Sequence, residues 1–124
     1  LVTAGDMYDY FGSMMRGYDV FVCPTLAKPA LKANARLDYD SWKTDGKVMP
    51  DALSWCMTYP FNMLSRCPVL SVPSGFARNG VPTGLQIVGR AYEDASVFRA
   101  ASAFERAMPW AYDRPQNRPA LAGK

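Results

Sequence analysis

One hundred and twenty-four residues, 49% hydrophobic and 20% charged, make about one small domain and are too apolar for a disordered chain. The net charge of +3 comes from interleaved signs, so no basic block marks a nucleic-acid surface, and Pro, Gly or charge interrupts every apolar run before the ~20 residues of a membrane span. The sequence has no histidine, which excludes a Ser-His-Asp triad, a Cys-His dyad and any His-ligated metal site.

In chain order, Met7, Phe11, Met14 and Tyr18 recur at i, i+4, i+7 and i+11, one face of a helix that Asp6 opens and Gly17 closes. Leu1-Val2-Thr3 reads as the stub of something longer. Val20 to Cys23 is a short apolar run ended by Pro24, as in a strand covered on both faces. Residues 26–50 scatter Lys28, Lys32, Arg36, Lys43 and Lys47 among Pro, Asn, Asp and Gly; they predict a long surface loop with one short helix.

Pro50-Asp51 suits the first turn of a helix running through Leu53, Trp55, Cys56 and Met57, with Pro60 ending or kinking it. Residues 61–67 predict a further helical turn stopped by Pro68. Residues 69–72 and 85–88 read as strands, the first bounded by Pro68 and Pro73 and the second closed by Gly89. Asn79-Gly80 turns the chain between them into an antiparallel pair. Glu93 and Asp94 then set negative charge at a helix start. Val97, Ala100, Ala101, Phe104 and Met108 form its apolar face, and Pro109 stops it. The tail from Trp110 to Lys124 is irregular.

Several of these blocks carry more than structure. Asp19-Val20-Phe21-Val22-Cys23-Pro24-Thr25 comes first. Thr58-Tyr59-Pro60-Phe61-Asn62 leads to Pro68-Val69-Leu70-Ser71-Val72-Pro73. Gly80-Val81-Pro82-Thr83-Gly84-Leu85-Gln86-Ile87-Val88-Gly89 follows, then a helix over residues 93–107, Trp110 and Arg114-Pro115. In this order they resemble the C-terminal portion of the amidase signature family, over residues 6 to 119. The resemblance implies an α/β fold, the C-terminal part of a mixed sheet with flanking helices. It also implies hydrolysis of an amide C–N bond by a Ser–cis-Ser–Lys triad, whose Gly- and Ser-rich signature lies upstream.

That signature is not in this sequence. There is no Gly-Gly-Ser-Ser run, and Ser13, Ser41, Ser54, Ser65, Ser71, Ser74, Ser96 and Ser102 are scattered. Residues 1–124 are therefore expected to be an incomplete segment of an amidase domain, without catalytic residues and inactive alone. Two departures from the family pattern stand out. Ser65-Arg66-Cys67-Pro68-Val69 replaces a Gly-x-Pro-Ala step. Trp55 stands three residues before Thr58, where the branch that supplies ammonia for amidated transfer RNA often has Asp, which disfavours a glutamine-type substrate.

The expected substrate-binding residues are Thr25, Trp55, Tyr59, Phe61 and Asn62. Thr25 follows the carboxyl end of a strand, where α/β sheets place ligands, though a plain strand end fits it too. Trp55 suits core or pocket, and Asn62 suits a backbone bond or the substrate. Gln86, polar within a buried strand, must find a hydrogen-bond partner. The lysines have polar, Pro or Gly surroundings, which suit surface positions and not a buried neutral base.

Cys23, Cys56 and Cys67 show no CxxC spacing, which argues against a disulfide framework or zinc knuckle and points to a reducing compartment, the cytosol. Cys67, beside Arg66, is the one thiol with a local cation. Two other readings are a non-catalytic interaction module and a small Cys67-dependent α/β enzyme. No cofactor or metal is expected, and no nucleic-acid or membrane partner. The expected partners are a small amide substrate of the parent protein and, through apolar strand edges around residues 20–22, further copies of the chain.

Overall fold

The computed structural model describes residues 2–30, 43–49 and 53–109. Helix α1 spans Val2–Met14 and tightens into a 3-10 turn over Met15–Gly17. The helix thus starts ahead of Asp6. The tighter turn also changes the buried face. Met15 goes inside at 1% exposure, while Met14 and Tyr18, expected on that face, are exposed.

Three strands follow the apolar runs. β1 covers Val20–Pro24, β4 covers Val69–Phe76 and β5 covers Pro82–Gly89. They form an antiparallel sheet in the order β1-β5-β4. Phe21 and Val69 both lie opposite Val88, and Cys23 and Ser71 both lie opposite Gln86. β4 does not stop at Pro73. A register shift between Pro73 and Gly75 carries the strand on to Phe76, and an outer strand tolerates the proline because its missing N–H faces away from the ladder.

Between β1 and β4 lie β2 (Lys43–Thr44) and β3 (Lys47–Val48), a small hairpin. Asp45 and Gly46 take positive φ values of 50° and 76° there, as tight hairpin turns require. This replaces part of the expected loop; residues 31–42 lie outside the described residues, as do 50–52 and the tail from residue 110. Residues 53–58 form a turn and an isolated β-bridge, not the expected helix. Helix α2 is Tyr59–Met63. Pro60 sits in its first turn, where a missing N–H costs nothing, so it opens a helix instead of ending one.

Helix α3, Asp94–Ala107, closes the chain's described part. Val97 and Ala101 are buried with Val72 and Ile87, and Val20, Leu70, Leu85, Ala100 and Phe104 pack around them. Met108 lies past the helix end with φ −132° and is exposed, so it leaves the expected apolar face. The helix seats directly on β5: a Cβ on Gly89 would stand 2.6 Å from Val97 Cγ2. On the sheet's other face Val88, Leu64 and Cys67 form a second core with Met7, Phe11, Phe21 and Phe61. The central strand β5 is thus covered on both sides over its second half, whereas β1, expected to be covered on both faces, leaves Val22 exposed because it is an outer strand.

Candidate functional site

The polar residues converge where β1 ends. Thr25 leaves the strand with its N–H and its Oγ1 both bonded to the Gly84 carbonyl, each at 3.2 Å. Gly84 permits this approach, because a Cβ there would lie 2.9 Å from Thr25 Oγ1 and 3.5 Å from Ser71 Oγ. Beyond Thr25 the chain pairs with residues 55–57. Ala27 N–H donates to Trp55 O at 2.8 Å, Met57 N–H donates to Thr25 O at 3.0 Å, and Leu26 bridges Cys56. The backbone groups left over at the strand end are satisfied in this way.

Gln86 holds the same corner from the sheet. Its side chain is 1% exposed, and Nε2 donates to Pro24 O at 3.0 Å and Met57 O at 2.9 Å. The partner that the sequence requires for this buried amide is therefore two backbone carbonyls on two segments. Next to it, burial pushes the Cys23 thiol above its ordinary pKa, and a polar contact with Gln86 offsets this in part.

A cavity of about 270 Å³ opens against this corner, lined by residues 24–29 and 82–85 with Ser74. Its walls are mainly Pro24, Leu26, Pro29, Pro82 and Leu85, with the Thr25, Ser74 and Thr83 hydroxyls as polar points. Ser74 Oγ and Thr83 Oγ1 share a hydrogen bond at 2.9 Å. Lys28, half-buried, is the one charged residue of the lining. Such a recess, apolar with a few placed polar groups, suits a small organic molecule.

Of the five residues expected at a site, Thr25 lines this cavity. Trp55 enters through its carbonyl, bonded to Ala27. Phe61 instead meets Phe11 and Phe21, ring centroids 6.0 and 5.7 Å away. Tyr59 is exposed in the first turn of α2, and Asn62, also exposed, donates its N–H to Thr58 O at 3.1 Å. Sequence reasoning does not mark Lys28, Ser74 and Thr83 as site residues. Only Lys28 carries a local signal, three residues beyond Thr25.

The Thr25 hydroxyl of this recess donates to a carbonyl, and the Ser74 and Thr83 hydroxyls pair with each other. Cys67 is 7% exposed, and burial alone pushes its thiol pKa up. This is the environment of an inert thiol and not of a thiolate nucleophile. Among the described residues no helix is long and apolar enough to cross a membrane.

Comparison with known proteins gives one consistent result. The sequence profile of the family described as Amidase matches residues 3–98. An acylamidase of Rhodococcus erythropolis is 42% identical over 111 residues, covering 90% of this chain and 23% of that protein. A glutamyl-tRNA(Gln) amidotransferase subunit from Thermosynechococcus vestitus is 37% identical over 106 residues, covering 86% of this chain and 20% of that protein. The crystal structure of a bacterial aryl acylamidase of the amidase signature enzymes superposes with a TM-score of 0.73 at 32% identity, over 96% of this chain and 24% of that one. The chain thus spans about a quarter or less of the length of these relatives.

Proposed function

The chain belongs to the amidase signature family, and on that premise we propose that it is the C-terminal part of an enzyme hydrolysing the C–N bond of a small amide. The observation that carries this is likeness to an acylamidase over nine-tenths of the chain, alongside coverage of less than a quarter of that protein. In this reading the Ser–cis-Ser–Lys triad lies in the remainder of the enzyme. Its serine attacks the amide carbonyl, the amine leaves with a proton, and water then releases the acid. A lysine can serve as base there only if burial keeps it neutral.

This segment contributes a substrate wall and no catalytic group. Residues 24–29, bonded to residues 55–57, form it, with Thr25 on the recess, Trp55 tied to Ala27 through its carbonyl, and Tyr59 and Asn62 exposed on the helix that follows. Three free cysteines suit a reducing compartment such as the cytosol. The Cys67-dependent enzyme fits less well, because that thiol is buried and burial raises its pKa.

An apolar wall favours an amide with aryl or aliphatic groups, since matched surface is buried. Free glutamine would leave its charged α-groups without partners, which is costly. The test is kcat/KM for an aryl acylamide and for glutamine in the full-length enzyme, wild type and Trp55→Asp. Preference for the aryl acylamide, reduced at least ~10-fold by the substitution (about 1.4 kcal/mol), supports the reading. Preference for glutamine in the wild type overturns it.

A further inference from the structure

Gln86 on β5 joins two other segments of the chain. It is buried at 1% exposure. Its amide nitrogen donates to two backbone carbonyls, and these belong to different segments: Pro24 O at the end of β1 and Met57 O in the turn before α2. Its Oε1 is buried and has no hydrogen-bond partner among the described residues. A buried acceptor without a donor is unfavourable, whereas both bonds of the amide nitrogen go to backbone carbonyls. The first of these segments lines the cavity, and the second is bonded to it along the backbone. Met57 N–H is bonded to Thr25 O and Ala27 N–H to Trp55 O, and Thr25, Leu26 and Ala27 face the recess.

We infer that Gln86 is a positioning residue for the substrate wall, a two-carbonyl clamp that ties residues 24–27 to β5 and to residues 55–57 and thereby holds residues 24–29 in place against residues 82–85, the other part of the recess lining. This rests on reading the chain as part of an amidase. Gln86 touches no reacting atom and acts through Met57 and Thr25. Releasing the clamp lets residues 24–29 shift against residues 82–85, so the recess loses its fit to one acyl or amine group before the chemical step suffers.

Two measurements test this. Kinetics of Gln86→Met and Gln86→Glu in the full-length enzyme should show KM for a bulky acyl amide rising roughly tenfold more than KM for acetamide, with kcat falling less than KM rises. Gln86→Glu should recover selectivity on acidification, because a protonated carboxyl donates to one carbonyl while a carboxylate repels both. A merely structural glutamine would lower both substrates' kcat/KM alike, with no such pH profile, and that result overturns the inference. The second measurement is amide hydrogen exchange of the full-length enzyme. Ala27 and Met57 should exchange about tenfold faster in Gln86→Met, with the β4–β5 amides unchanged. Equal acceleration everywhere, or none at Ala27 and Met57, also overturns the clamp. If the wild-type enzyme hydrolyses no amide, the function reading fails, and the exchange data still decide the clamp.

Discussion

Cys67 shows how burial settles the role of a single residue. Its neighbour Arg66 points to a reactive thiol, but the side chain turns into the core beside Leu64 and Val88. Burial lifts its pKa above the ordinary 9.0. The folded state therefore favours the neutral thiol. Below pH 9 both states hold the proton; above it the unfolded thiol ionises first, and stability falls as pH rises toward the folded pKa. At pH 8 the folded chain should label with iodoacetamide at Cys67 at least ~100-fold more slowly than the urea-unfolded chain, since only the accessible thiolate reacts. Equal rates would place this thiol in a reactive environment. Thr25 was legible from the strand it follows. Lys28, Ser74 and Thr83 were not, because they meet only through the β4–β5 register and the course of the chain after β1.

Among elements, β1, β4, β5 and α3 were readable because each obeys its own periodicity and is punctuated by Pro, Gly or acidic residues. The stretch from Leu53 to Thr58 carries a helical pattern without being a helix. Its apolar spacing and the preceding Pro50 fit one, yet Trp55 O and Met57 N–H are taken by Ala27 and Thr25, far away in sequence. No local pattern reports such a pairing. The contact between β5 and the end of β1 depends on Gly84, which the sequence presents only as part of a motif. Gly84→Ala puts a methyl 2.9 Å from Thr25 Oγ1 and should destabilise the chain by about 1–3 kcal/mol. Adding Thr25→Ala removes the clash, so the double variant should regain part of that loss in thermal unfolding, a coupling of ~1 kcal/mol. Strict additivity would show that the two residues do not press on each other.

At the scale of the whole chain, the described sheet leaves β1 and β4 as its outer strands. Val22, Val69 and Phe76 on them are 47%, 42% and 47% exposed. Apolar outer strands pair readily with other strands. The 124-residue chain should therefore self-associate, with light-scattering mass rising with concentration; a strictly monomeric species at high concentration would contradict this.

The central claim, that these residues build a substrate wall for catalytic groups located elsewhere in a longer amidase, meets its most direct test in paired assays. Hydrolysis of an aryl acylamide is measured for the purified 124-residue chain and for the full-length enzyme that contains it. The account predicts turnover by the full-length enzyme and none by the chain alone. Turnover by the 124-residue chain, lost on Cys67→Ala, would contradict it.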